Sequence, residues 1–200
     1  MSTPDVKEVA PRKRMARADR ERQLLDVAEE LFAERGFAAT SMDELAQRAG
    51  VTKPVVYDHF GSKDGVLAAG IARGRAQLAA LTLAAVEGVD DAGEALRRAL
   101  HVFFAFVAER GRVWTQLMTE AGGSGAAAQG LAEARAQQSA LTALMLAQLH
   151  PEADSTSLQI WSEAIVGACE RLSIWWGDHP EVSVDEVTER LTALLLPALA

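Results

Sequence analysis

The sequence predicts an all-α fold: an N-terminal three-helix head with a helix-turn-helix, and a larger C-terminal helical body, about nine helices in total. Three observations predict it. Apolar residues recur three and four apart along most of the chain, and no stretch alternates in the way of a half-buried strand. Ser or Asp precedes several helical stretches as a cap, twice with Glu three residues on, as in Ser41-Met42-Asp43-Glu44 and Ser183-Val184-Asp185-Glu186. Gly and Pro then punctuate the stretches at Gly36, Gly50, Gly88–Gly93, Gly111, Gly122–Gly125, Pro151 and Gly177–Pro180. There is no internal repeat.

The chain divides into an arm (residues 1–17), a helix-turn-helix unit (18–62) and a larger helical body (63–200). The arm holds Pro4 and Pro11 with few large apolar groups, and its basic cluster Arg12, Lys13, Arg14 and Arg17 suits phosphates or a minor groove. Asp19 is placed to cap the first helix, whose buried stripe is Leu24, Leu25, Ala28, Leu31 and Phe32. Gly36 stops that helix and Phe37 tucks beneath the head.

The next stretch is the most informative. Ser41 caps a short helix, with Glu44 reaching back to the cap and Met42, Leu45, Ala46 and Ala49 turned inward. Gly50 stands where a helix ends in a left-handed residue. Thr52 is a cap for a second short helix, and Pro54 sits in its first turn, where a missing N–H costs nothing. Val56 and Phe60 face inward, leaving Lys53, Val55, Tyr57 and His59 outward. Two helices on a short glycine turn, the second presenting Lys, Tyr and His, meet the requirements of a helix-turn-helix.

Ser62 caps a long Ala-rich helix running to about Val86, with Leu67, Ile71, Leu78 and Leu81 inward. Starting in the head and ending in the body, it can transmit tilt. After an Asp90 or Asp91 cap, Leu96, Ala99, Leu100, Phe103, Phe106 and Val107 form a wide apolar face. Phe104 points elsewhere, which implies burial on a second side. Arg110-Gly111 ends this helix, and Val113 to Ala121 forms a short one with Trp114, Leu117 and Met118. The next helix carries Leu131, Leu141, Leu144 and Met145 inward. The penultimate helix, capped by Asp154 or Ser155, carries Leu158, Trp161, Ile165, Ala168, Leu172 and Trp175 on one stripe, and the last carries Val187, Leu191, Leu194 and Leu195.

Composition narrows the function classes. At 49% hydrophobic and 24% charged residues the chain supports a packed core. No apolar run approaches the roughly 18 residues of a membrane span, and the polar, basic N-terminus is not a signal peptide, so a cytoplasmic place with no membrane partner is expected. The single cysteine, Cys169, excludes an intramolecular disulfide and a cysteine-cluster metal site. Net charge is −8, but residues 1–63 hold 11 basic and 11 acidic groups and the remainder 9 and 17. A neutral head on an acidic body suits a DNA-binding head with a non-binding body. His59, His101, His150 and His179 have no metal-ligand spacing, and no phosphate loop follows a strand. Enzymatic activity, a cofactor and a metal are therefore not expected, and Cys169 is read as a core thiol.

Residues 20–67 resemble the TetR family of bacterial transcriptional regulators. Ala28, Leu31-Phe32, Gly36-Phe37, Thr40, Leu45-Ala46, Ala49-Gly50-Val51-Thr52-Lys53-Pro54, Tyr57, His59-Phe60, Lys63-Asp64 and Leu67 carry the likeness. It implies base or near-base contacts from Lys53, Pro54, Val55 and Tyr57, and phosphate contacts from Thr40, Ser41, Thr52, His59 and Lys63. Asp43 and Asp58 depart from the usual pattern, since acidic groups repel phosphate. The resemblance also implies a homodimer through the last two helices, with Leu158, Trp161, Ile165, Leu172, Leu191, Leu194 and Leu195 at the interface. The partner is then a near-palindromic double-stranded operator. A small-molecule effector inside the body is implied too, with Phe103, Phe104, Phe106, Trp114, Met118, Gln138, Met145, Trp175 and Trp176 as candidate lining residues. Repression released by a small apolar or aromatic effector is the expected mode. The alternative is an activator, or a regulator answering to a protein partner.

Overall fold

The computed structural model describes residues 15–121 and 126–199, with side chains described outside 112–127. The basic residues Arg12, Lys13 and Arg14 lie outside the described residues. The described chain is all helical, in eight helices: α1 (Arg17–Arg35), α2 (Met42–Arg48), α3 (Lys53–Phe60), α4 (Lys63–Val86), α5 (Ala92–Ala121), α6 (Ala126–Leu149), α7 (Ser155–Trp176) and α8 (Val184–Leu199). The count is eight instead of nine because α5 runs on through Gly111, which holds φ 55° and ψ −146° and kinks the helix at the predicted break. Glycine alone tolerates that conformation without strain.

Capping chemistry explains most boundaries. Ser41 accepts from the Glu44 backbone N–H at 3.2 Å and Ser62 from Gly65 at 3.0 Å. Asp91 accepts from Glu94 at 2.7 Å, Asp154 from Thr156 and Ser157, and Ser183 from Glu186 at 3.1 Å. Three details differ from expectation. The Glu44 carboxylate turns away from the cap to meet Arg35 at 2.6 Å, a fully charged partner offering more than an orphan N–H. Thr52 makes no side-chain cap, and Pro54 at the start of α3 leaves one orphan donor fewer to satisfy. The first helix begins at Arg17, ahead of Asp19, which lies inside the first turn 3.5 Å from Arg22.

The head is α1 to α3, and its core is not separate from the body. Leu24, Leu31, Leu45, Val56, Leu67 and Ile71 pack in one cluster that continues to Phe106, Val107 and Leu131. A second cluster, including Leu100, Phe104, Ile165 and Leu191, fills the distal body. The long α4 packs chiefly on α5 and α6, α5 on α8, and α6 on α7. Arg73 of α4 also grips α1, meeting Asp26 and Glu29 at 2.6 Å each. The inward stripe of α4 runs Leu67, Ile71, Arg75, Leu78 and Thr82, leaving Leu81 exposed. Leu144 of α6 is likewise exposed, and Leu146 is the buried residue there. No helix among the described residues is long and apolar enough to cross a membrane.

Candidate nucleic-acid interface and body cavity

The reading surface is built by α2 and α3. Val51 N–H donates to Ala46 O at 3.0 Å, and Gly50 takes φ +67°, so the turn is tight. Buried Ala46 and Ala49 let the helices approach closely. Val56 is fully buried and fixes the rotation of α3. That rotation exposes Thr52, Lys53, Pro54 and Tyr57, with Val55 partly exposed beside them. Lys53 Nζ donates to Asp43 Oδ2 at 2.9 Å and stands 5.8 Å from the Tyr57 ring centre. Its hydrogen bond to Asp43, with the nearby charge, raises the ammonium above its usual pKa range. Asp58 is also matched: the Arg17 guanidinium lies 3.6 Å from its carboxylate and donates to its carbonyl at 3.1 Å. Both acidic departures therefore have a basic partner within the head.

Four of the expected phosphate-contacting side chains are placed differently from Thr52. The His59 side chain is only 7% exposed, with Nδ1 3.9 Å from Glu21, so the expectation that it stands outward is not met. Phe60 beside it is only partly buried, so the inward face of α3 is wider than Val56 and Phe60 alone. Thr40 is buried, and its hydroxyl donates to Gly36 O at 2.9 Å. Ser41 uses an acceptor lone pair as the α2 cap and keeps its hydroxyl proton for another partner. Lys63 spends all three ammonium protons on the carbonyls of Phe37, Ala38 and Thr40, at 2.9, 3.1 and 3.0 Å, and lies 4.4 Å from the Phe37 ring centre. It ties the α1–α2 turn to the start of α4. Lys63→Met is accordingly expected to cost about 2 kcal/mol of stability through lost charge-assisted bonds. In DNA titrations its salt slope should match the wild type. A slope lower by about 0.9 per site would instead make Lys63 a phosphate contact.

In the body, an apolar cavity of about 90 Å³ lies between α4, α5, α6, α7 and the end of α8. Phe103, Gln138 and Met145 of the expected residues line it. The others do not. Phe104 is fully buried in the distal core, edge-on to Phe103 and Trp176 at 5.1 and 5.7 Å. Phe106 belongs to the proximal core, under the Arg110 guanidinium at 4.0 Å. Trp176 packs against both clusters and donates from Nε1 to Val182 O at 2.7 Å. Trp175 is exposed and stacks on His179 at 4.0 Å. Trp114 and Met118 lie outside the residues whose side chains are described. Sequence reasoning missed Leu78, Thr82, Cys169 and above all the charged pair Arg75 and Glu170 on the wall. The available signal was Arg75 itself, a charge falling on the inward stripe of α4 four residues after Ile71. Burial pushes the Cys169 thiol up to about 12, so it is not a nucleophile at neutral pH.

A tight two-helix motif presenting a lysine, a tyrosine and a proline outward, carried on a larger helical body, defines a helix-turn-helix DNA-binding regulator. Comparison with known proteins specifies it further. Residues 24–69 match the model described as bacterial regulatory proteins, tetR family, and residues 92–197 match the tetracyclin repressor-like C-terminal domain. The chain belongs to the TetR family of transcriptional regulators. It is similar to the HTH-type transcriptional activator FasR of Mycolicibacterium smegmatis, 42% identical over 94 residues, or 47% of this chain and 43% of that protein. It is also similar to an uncharacterized HTH-type transcriptional regulator of Mycobacterium tuberculosis, 28% identical over 92% of this chain and 78% of the other. A TetR-like regulator from Rhodococcus sp. RHA1 superposes with a TM-score of 0.69 at 31% identity, covering 93% of this chain and 98% of that one.

Proposed function

We propose that this regulator is a homodimeric repressor, released from a near-palindromic operator when a small apolar effector occupies the body cavity. The observation that carries the reading is the position of the cavity. It lies at the seam between the two core clusters: Leu78 of α4 belongs to the proximal one, and Leu96, Leu100, Ile165 and Leu199 to the distal one. Expanding it displaces α4, and α4 carries α1 through Arg73. At about 90 Å³ the cavity has room for about three waters at liquid density, far less than a drug-sized ligand fills. An effector larger than this must favour a more open body. That differential affinity is what a shift of population requires. By linkage, operator DNA then weakens effector binding by the same factor.

The dimer reading rests on exposed apolar surface, to which Leu194 of the expected residues contributes most. Ile165 and Leu191 are buried, and Leu158, Trp161, Leu172 and Leu195 pack on the distal core. Leu194 is 72% exposed and Ile160 62% exposed, accompanied on α7 by exposed Ala164 and Gly167, whose small size lets a second helix approach. A symmetric four-helix contact would bury this face and set the two heads roughly 34–36 Å apart, one turn of the duplex. Leu194→Asp should convert the dimer to monomer in light scattering at micromolar concentration; an unchanged dimer would move the interface elsewhere. The proposal as a whole is tested by selection from a random duplex pool at near-physiological salt. Enrichment of a near-palindrome is expected, and failure to enrich any sequence with folded dimer would overturn it. The similarity to an activator keeps one other reading, activation or control by a protein partner, which a transcription assay on the selected operator distinguishes.

A further inference from the structure

The wall of the cavity carries an ionic arrangement that an apolar effector does not use. Arg75 of α4 is buried, and its guanidinium pairs with Glu170 Oε1 of α7. The other oxygen of Glu170, Oε2, accepts from Arg135 Nε of α6 at 2.7 Å. One carboxylate thus serves two guanidinium groups, and the cluster carries a net positive charge at the edge of an apolar chamber. Arg75 and Gln138 also line a separate cleft of about 450 Å³ between α4 and α6, so the ion cluster stands where the chamber and the cleft meet. At the wall of the chamber His150 Nε2 is buried and finds no hydrogen-bond partner among the described residues.

We infer that the effector is an amphiphile with an acidic head, whose carboxylate takes the place of Glu170 on Arg75 while its apolar tail fills the chamber. The inference rests on the effector-release reading above and specifies its ligand class. A buried guanidinium cannot be left without an anion, since an uncompensated buried charge is strongly destabilising. A ligand carboxylate supplies that anion in the bidentate geometry a guanidinium favours. Glu170 is not stranded by the exchange, because Arg135 stays with it. The arrangement therefore admits a swap of one carboxylate for another. A neutral head leaves Arg75 with Glu170 and gains nothing from the cluster. A cationic head adds to an existing positive excess.

The swap also explains how binding would reach the head. Arg75–Glu170 is a tie between α4 and α7, and the ligand that takes Arg75 severs it. Two residues earlier, Arg73 holds α1 to the same helix. An acid that cuts the first tie and leaves the second frees α4 to move with the head attached.

The test uses the full-length protein and three probes of one tail length: octanoate, 1-octanol and octylammonium. Calorimetric titration at fixed salt should show octanoate binding at least tenfold more tightly than octanol, and octylammonium weakest. Arg75→Gln should abolish the preference for the acid, leaving octanoate no tighter than octanol. Glu170→Gln should tighten octanoate several-fold, because the competing carboxylate is gone; this variant decides the matter should Arg75→Gln fail to fold. Octanol equal to or tighter than octanoate, a preference for octylammonium, or no binding by any of the three overturns the assignment. Operator release by the neutral or cationic probe would keep the effector-release reading and remove only the acidic head. Loss of operator selection itself would remove that reading independently.

Discussion

Phe104→Ala is expected to lower the stability of the protein by about 3–5 kcal/mol, the cost of truncating a fully buried phenylalanine. The ring sits in the distal core between Phe103 and Trp176, both edge-on, with Leu100, Ile165 and Leu191 in the same cluster. Such pairs contribute roughly 0.5–1.5 kcal/mol beyond the area they bury, so the loss falls toward the upper part of that range. Phe103→Ala should behave differently. That ring is only partly buried and lines the cavity, so its removal costs about half as much and enlarges the chamber. The measurement is the urea midpoint of both variants at one protein concentration, because the proposed dimer would couple stability to concentration. A smaller loss for Phe104→Ala than for Phe103→Ala would mean that the two adjacent rings have exchanged roles.

These two residues also show where sequence reasoning succeeds and where it stops. Helical periodicity places Phe103 and Phe106 on one face and Phe104 on another, and both sides are indeed buried. Periodicity does not say whether the space opposite a face is another side chain or a void. That depends on how α4, α5, α6 and α7 splay, a property of many distant residues at once. Hence Phe103, Gln138 and Met145 line the cavity while Phe104, Phe106 and Trp176 serve the core, although all six read alike. The head is more legible because its signals are local. A cap, a glycine at φ +67° and a proline one turn later define the motif between Ser41 and Pro54. Even there, His59 escaped: α3 is rotated so that its ring faces Glu21 of α1, a contact across the head that spacing alone does not encode.

At the reading surface, Lys53→Ala should weaken specific operator binding by about 1–3 kcal/mol per half-site and relax the preference at one base position. Lys53 is the first residue of α3, the end of a recognition helix that approaches base edges. In the free protein it is engaged by Asp43, but both groups are about half exposed or more, 49% and 68%. A solvent-screened pair of this kind contributes little, so DNA can take the lysine from Asp43 at small cost. Asp43 then remains near the duplex as a negative charge. This cost falls on any DNA, and a correct operator would offset it through the base contact proposed for Lys53. Asp43 thus acts against non-specific sequences more than against the operator. Asp43→Asn is expected to raise affinity for random duplex several-fold, steepen its salt dependence and narrow the ratio of specific to non-specific binding. In a double-mutant cycle the effect on operator specificity should shrink when Lys53 is already alanine. Titrations of operator and scrambled duplex with the four proteins, at two salt concentrations, make the comparison. Unchanged affinity and unchanged base preference in Lys53→Ala would remove the lysine from the readout. Equal gains for operator and random duplex in Asp43→Asn would reduce Asp43 to a general repulsive charge.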